Sequence, residues 1–261
     1  MVKTLVLFDQ IYYAPKERKK EDVYLRYLKY LNERVKGFPD TSLEIKKLRE
    51  FDKRFEVSIS GPEEVFMQNI LKKEIGSITE FKDTTEGAIY KGNLTEVGKV
   101  GFGLFVDCAI MNPKVEVLIN LHTLREQLCR GMEKSLNQII NAYDFIDHFP
   151  VHVKILKIDR DNLKAQGELA PITLELFKKI LDENLEALLL SGETKGQFKK
   201  VIARKGHFRD IITVKRFGFL ENMVLLKTDS NAPGIISEIG KDLENCKFSA
   251  LRPQRIRRLF L

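Results

Sequence analysis

The chain has 261 residues, of which 43% are hydrophobic and 31% charged, with no Trp and a formal net charge of +7. That hydrophobic share excludes a disordered chain, and no run approaches the roughly 18 apolar residues of a membrane-spanning helix. Three widely separated cysteines, Cys108, Cys129 and Cys246, exclude a disulfide framework; charge arrives too early after Met1 for a signal peptide, so the expected location is cytoplasmic, away from any membrane.

Residues 1–82 alternate strand and helix. Val2–Tyr12 reads as a strand, and Glu21–Val35 as a helix whose stripe is Val23, Tyr24, Tyr27, Leu28, Leu31 and Val35. Ser42–Leu48 and Arg54–Ser60 read as strands, the second with Phe55, Val57 and Ile59 alternating. Gly61-Pro62 then breaks the chain. Glu63 and Glu64 suit the first turn of a helix ending at Gly76, and Ser77–Phe81 closes the segment as a strand. The order βαββαβ predicts a ferredoxin-like α+β domain, a fold that serves many functions.

Residues 83–170 change to strands punctuated by glycine: Gly87–Gly98, Val100–Asp107, Val117–Leu124, Pro150–Arg160 and Leu163–Leu169. A helical insertion at 123–147 interrupts them, with one helix expected over Thr123–Ile140 from the spacing of Leu124, Leu128, Met132, Leu136, Ile139 and Ile140. Five strands in this order, with the helix between the third and fourth, predict an OB-type β-barrel. Glycines at its corners let strongly coiled strands bend. The insertion would pack on the barrel or a neighbouring domain, or form a homodimer interface.

Residues 171–261 predict a basic α/β domain. A helix over Leu174–Leu190 stops at Ser191–Thr194, a basic helix follows at Gly196–Arg204, and Ile211–Lys215 with Met223–Thr228 form a hairpin around Gly218. Gly234–Leu243 is then a helix and Lys247–Leu251 a last strand. The charge concentrates here: 17 Lys and Arg stand against 11 Asp and Glu, whereas residues 1–83 hold 17 against 15 and residues 84–170 hold 10 against 11. Lys195, Lys199, Lys200, Arg204, Lys205, Arg209, Lys215 and Arg216 are opposed locally by Asp210 alone, and Arg252, Arg255, Arg257 and Arg258 follow. Such clusters attract polyanions, or else form a solvated helix face and a frayed tail. The whole is α+β and multi-domain.

The central motifs resemble a known family. Phe102-Gly-Leu-Phe-Val-Asp107, Leu118–Leu124 and Val153-Lys-Ile-Leu-Lys-Ile-Asp-Arg160 are similar, in order, to the second, third and fourth strands of the S-one type RNA-binding OB-fold, named after a small-subunit ribosomal protein. The resemblance implies that Phe102 and Phe105 stack on bases, with Asp159 and Arg160 beside them. On the third strand the family's His falls on Asn120, and His122 falls on its Ser. Phe102 and Phe105 lie three apart, so a flat strand would put them on opposite faces; a bulge at Gly101–Gly103 would bring both rings to one surface. The competing arrangement has the phenylalanines in the core and an open face that binds protein. Over most of its length the chain also resembles a conserved archaeal family of unknown function, through Lys205-Gly-His-Phe-Arg-Asp-Ile-Ile, Phe217-Gly-Phe-Leu-Glu and Ala232-Pro-Gly-Ile-Ile-Ser-Glu-Ile-Gly240.

Enzyme signatures are missing. There is no Gly-x4-Gly-Lys-Ser/Thr and no His-Glu-x-x-His, and Gly98, Gly101 and Gly103 do not give a dinucleotide-binding spacing. His148 and His152 read as neutral surface histidines rather than metal ligands, Asp159, Asp161 and Asn162 as a hairpin turn, and Cys108 as an inert core thiol. His207, among cations, reads as a phosphate contact. No nucleophile, base and orienter assemble, and no cofactor is expected. The sequence thus predicts a non-catalytic RNA-binding factor acting on structured RNA such as the ribosome, with small-subunit ribosomal RNA and ribosomal or other proteins as partners. The alternative is a protein-interaction or dimerisation module, or an accessory subunit of an RNA-processing or transcription complex.

Overall fold

Among the described residues three sheets form, of three, six and four strands. They are seen in a computed structural model that describes residues 3–12 and 17–261. Val2, placed in the first expected strand, lies outside the described residues. The Cα framework divides into two units, Met1–Ile78 with Gly218–Leu220, and Thr79–Phe217 with Glu221–Leu261.

The first unit contains β1 (Lys3–Gln10), α1 (Glu17–Arg34), β2 (Ser42–Leu48), β3 (Arg54–Ser60) and α2 (Glu64–Glu74). Its antiparallel sheet has the order β1-β3-β2. The apolar alternation of β3 and the stripe of α1 meet as expected: Phe55, Val57 and Ile59 share a core with Tyr27, Leu31, Met67 and Leu71. Phe219 and Leu220 belong to the same core. The Phe219 ring stands edge-on to Tyr27 at 4.8 Å, and its N–H donates to the buried Asp9 carboxylate at 3.2 Å. The expected fourth strand, Ser77–Phe81, is broken up. Ser77 makes a single antiparallel bridge to Leu7, and Phe81–Asp83 is a 3-10 turn.

In the second unit, β5 (Ile89–Thr95), β6 (Gly103–Met111), β7 (Val115–Asn120), β8 (Pro150–Asp159) and β9 (Lys164–Leu169) close a barrel. Antiparallel pairs β5–β6, β6–β7, β5–β8 and β8–β9 are joined by a parallel β7–β9 pair. This five-stranded mixed barrel has the OB-fold connectivity. A two-residue strand, β4 (Thr79–Glu80), adds in parallel to β6 at Ile110–Met111. The insertion holds two helices, α3 (Leu121–Cys129) and α4 (Leu136–Tyr143), instead of one. Arg130 (φ 54°) and Gly131 (φ 78°) end α3 in the left-handed region, and Ser135 with Gln138 starts α4 with a reciprocal capping box.

The C-terminal sheet, order β11-β12-β10-β13, is antiparallel. It comprises β10 (Ala187–Ser191), β11 (Ile211–Arg216), β12 (Glu221–Leu226) and β13 (Lys247–Leu251), with α5 (Pro171–Asp182), α6 (Lys195–Arg204), α7 (Ala232–Ile239) and α8 (Pro253–Arg257). The single helix expected at Leu174–Leu190 is therefore α5 plus the strand β10. Every residue of β10 is buried, because both faces of its sheet are covered. Leu188 and Leu190 pack with Phe198 and Ile202 of α6, while Ala187 and Leu189 join the core that contains the barrel's Val117, Val151 and Val153. The basic C-terminus is not a frayed tail either: Ile256 and Leu259 are buried in that same core.

Candidate nucleic-acid interface

The outer face of the barrel is built by alternation. Along β6 and β7, Leu104, Val106, Val117 and Ile119 point into the core, while Phe105 and Leu118 between them are only partly buried. Paired residues of neighbouring strands share a face, so register carries this surface across the sheet. Phe105 pairs with Leu118, Leu118 with Gln166 and Gln166 with Lys157. Four side chains thus form one transverse row over β6, β7, β9 and β8, a span of roughly 14 Å at about 4.8 Å per strand. Gln166 and Lys157 are exposed at its far end.

Phe102 completes the near end. It lies in the bend before β6 with 55% of its surface exposed, and its ring meets Phe105 edge-to-face at 6.1 Å. The two rings expected on one surface are therefore together and outside the core, which corrects the alternative of two core phenylalanines. Gly103 makes the geometry possible. A Cβ there would stand 2.4 Å from the Ile119 carbonyl oxygen and 2.8 Å from Leu118 Cδ1, so only glycine lets β6 start flush against β7 and turn Phe102 outward. The Phe102 carbonyl accepts from Leu121 N–H at 2.8 Å, which puts the exposed His122, in the first turn of α3, near the aromatic pair.

Other residues predicted for this face are engaged in holding the fold. Asn120 Oδ1 caps α3, accepting from Thr123 N–H at 2.9 Å and from its hydroxyl at 3.0 Å. Asp159 accepts from the side chain and the backbone N–H of Asn162, both at 2.9 Å; these bonds close the β8–β9 turn and hold its pKa below the ordinary carboxylate value. Arg160 donates to the carbonyls of Phe81 and Thr84, both at 2.9 Å, and so pins the 3-10 turn that precedes the barrel. Gln166, Lys157 and Leu118 were not singled out by sequence reasoning, because the row that unites them exists only in the register.

The basic cluster also sorts into two groups. Arg204 and Lys205 both face Asp242, at 2.9 and 3.1 Å. His207 is held by two carboxylates, with Nδ1 2.9 Å from Asp210 and Nε2 3.0 Å from Glu238, an arrangement that departs from a phosphate contact. Burial opposes charging this ring, but the two hydrogen bonds and the two negative charges outweigh it and raise its pKa above the ordinary histidine value. Lys199, Lys200 and Arg209 are exposed and form no ion pair among the described residues. Lys215 is exposed and lies over the Phe217 ring at 5.1 Å. Lys195 lies in the first turn of α6 and Arg216 ends β11.

His148 and His152 are half-buried rather than at the surface. Burial pushes His148 down to about 4, and burial with the charges of Lys91 and Lys215 lowers His152. Among the described residues no three His, Cys, Asp or Glu side chains are placed to hold a metal ion, and no helix is long and apolar enough to cross a membrane. A cleft of about 820 Å³ lies elsewhere in this unit, lined by Leu128, Arg130, Tyr143, Leu174, Phe177 and Arg257 among others. Its arginines are engaged: Arg130 stacks over Phe260 at 4.5 Å, and Arg257 donates to Asn184 and to the Leu181 carbonyl.

Comparison with known proteins identifies two domains. The DUF2110 central domain matches residues 84–182 and the DUF2110 C-terminal domain matches residues 186–251. No curated protein matches the chain. Among solved structures, an uncharacterized protein from Methanocaldococcus jannaschii is 17% identical with a TM-score of 0.24, over 34% of this chain and 97% of its own. The K3L protein of vaccinia virus (Wisconsin strain) is 15% identical with a TM-score of 0.23, over 33% and 89%. The intact alpha subunit of aIF2 from Pyrococcus abyssi is 9% identical with a TM-score of 0.24, over 65% and 97%.

Proposed function

We propose that this chain, which belongs to the DUF2110 family of unknown function, is a non-catalytic RNA-binding factor whose barrel face takes up unpaired bases. One observation carries the reading: Phe102 and Phe105 stand together outside the core at the head of the row Leu118, Gln166, Lys157. Aromatic rings offer stacking platforms to unpaired bases. Gln166 supplies an amide that both donates and accepts toward a base edge, and Lys157 a cation for the backbone. Lys199 and Lys200 of α6 and Arg209 of the following 3-10 turn, which form no ion pair among the described residues, add sequence-independent attraction to phosphate. A large structured RNA such as that of the small ribosomal subunit, in the cytoplasm, suits a chain that offers two separate contacts of this kind. The N-terminal sheet, with the Ser77 bridge on its β1 edge, reads as a shortened ferredoxin-like arrangement available to ribosomal or other proteins.

The test is binding of a labelled single-stranded RNA to the full chain at low salt, with wild type and the double variant Phe102→Ala/Phe105→Ala. The expected result is tight, salt-sensitive binding by the wild type. In the double variant the affinity falls at least tenfold, since stacking contributes about 1–3 kcal/mol per base. Equal binding by both proteins refutes the assignment of the face. A second reading, a protein-docking module, is favoured by the apolar walls of the 820 Å³ cleft, among them Leu128, Leu174 and Phe177; a salt-independent complex lacking RNA would select it.

A further inference from the structure

The basic cluster contains an exposed aromatic residue that neither the fold nor the barrel face uses. Phe208 leaves 68% of its surface exposed, and Ile212, four residues later, leaves 49%. Phe208 does not sit on a loose loop. It lies in the 3-10 turn His207–Asp210, which Gly206 enters with φ 81°. His207 fastens that turn at both ring nitrogens, to Asp210 within it and to Glu238 of α7. The Asp210 carbonyl accepts from Lys227 N–H at 2.8 Å. A pinned turn therefore holds an apolar ring out into water, where it gains nothing from burial.

The surrounding charge says what such a ring meets. Arg204, Lys205 and His207 are neutralised by Asp242, Asp210 and Glu238. Within this cluster, Lys199 and Lys200 on α6, Lys215, and Arg209, the immediate neighbour of Phe208, form no ion pair among the described residues, and all four are exposed. A ring among unneutralised cations complements a ligand with flat apolar faces and negative charge, which is the chemistry of single-stranded nucleic acid. An acidic peptide would satisfy the cations and leave the ring without a matching face.

We propose that Phe208 is a second base-stacking site, with Arg209, Lys199 and Lys200 holding the flanking phosphates, so that the C-terminal sheet contacts bases as well as backbone. The proposal rests on the RNA-binding reading and extends it to a surface outside the barrel. It makes the chain bivalent toward RNA, and two linked weak contacts multiply into tight binding when one strand can span both.

The absence of Trp gives a clean test in the full chain. Phe208→Trp and, separately, Phe102→Trp each introduce the only indole. The proposal expects oligouridylate to quench the emission of Phe208→Trp by stacking, inorganic polyphosphate to leave it unchanged, and Phe208→Ala to weaken oligouridylate binding about tenfold. Quenching of Phe102→Trp without any change in Phe208→Trp overturns the second site and leaves the barrel reading intact. Equal responses of Phe208→Trp to oligouridylate and polyphosphate overturn stacking in favour of charge alone. If an acidic peptide quenches Phe208→Trp and oligouridylate does not, the surface is a protein site and the proposal fails. Absence of any binding to either variant and to the wild type sinks both readings.

Discussion

Replacing Phe219 by Ala tests how the first unit's core is completed. The side chain is 2% exposed, stands edge-on to Tyr27 at 4.8 Å and lies 5.5 Å from Tyr30, and packs in the cluster that holds Phe55, Leu31 and Leu7. Truncating a buried phenylalanine costs about 3–5 kcal/mol through lost transfer energy and the cavity left behind. The aromatic pairing accounts for about 0.5–1.5 kcal/mol of favourable geometry within that loss. The backbone N–H bond to Asp9 survives the substitution, so the loss should sit near 4 kcal/mol rather than above the range. Residues 1–78 contain five of the seven tyrosines. Urea unfolding followed by tyrosine fluorescence, together with hydrogen exchange of β1 and β3, therefore reports this unit. Leu25→Ala, at a position 67% exposed, is the control and should cost less than about 0.5 kcal/mol. A loss for Phe219→Ala no greater than that of the control would refute the assignment of residues 218–220 to this core.

Further outcomes separate binding from structure in the second unit. Arg160→Ala removes two hydrogen bonds to the 81–84 turn and should lower stability by about 1–3 kcal/mol, read by thermal unfolding, while leaving RNA affinity unchanged. Lys199→Ala/Lys200→Ala should reduce the slope of log affinity against log salt by about 0.7 for each phosphate no longer neutralised. Arg204→Ala/Lys205→Ala, whose two charges share the single carboxylate of Asp242, should change that slope less. His207 is doubly bonded only when both ring nitrogens carry protons, and its folded pKa is raised. Its stabilising contribution is therefore complete below the unfolded value of about 6.5 and disappears as pH rises through the folded value. The difference in melting temperature between wild type and His207→Gln should be largest below about pH 6 and shrink as pH rises above about 6.5, and a difference that grows with rising pH would contradict the carboxylate clamp.

The parts of the fold that could be read in advance are those with local signals. The alternation of Phe55, Val57 and Ile59, the stripe of α1 and the five glycine-punctuated segments of the barrel all encode which side of an element faces the core. β10 defeated the same logic. Sitting in the middle of a sheet covered on both faces, Ala187–Leu190 is apolar throughout, and such a run cannot be told from a continuing helix by periodicity. The break inside the insertion was legible: Arg130-Gly131 followed by Ser135 and Gln138 spells a stop and a capping box, overridden by the helical spacing on either side. The site divides in the same way. Gly101-Phe102-Gly103 marked the aromatic pair because glycine and phenylalanine act locally. Leu118, Gln166 and Lys157 were invisible because cross-strand register joins residues far apart in sequence. Long-range pairing also hid the neutralisation of the basic cluster: Asp242 and Glu238 lie more than thirty residues from the cations they meet, which left Asp210 as the only apparent counter-charge.

That neutralisation changes how the charge surplus should be understood. A surplus of six in residues 171–261 suggested one uniform electropositive cluster, yet Arg204, Lys205 and His207 are held by carboxylates, while Lys199, Lys200 and Arg209 form no ion pair among the described residues. The near-neutral barrel is then less anomalous. Base stacking and hydrogen bonding require little net charge, and apart from Lys157 the cations proposed to meet phosphate lie on a different surface.

The central claim is that the barrel face running from Phe102 through Phe105, Leu118 and Gln166 to Lys157 contacts RNA. The most direct measurement is photocrosslinking of the full wild-type chain to a single-stranded RNA carrying 4-thiouridine, with the adducts mapped by mass spectrometry. Adducts are expected in the peptides that contain Phe102–Phe105 and Lys157–Gln166. Adducts confined to other surfaces of the barrel, or none at low salt and saturating RNA, would contradict the claim.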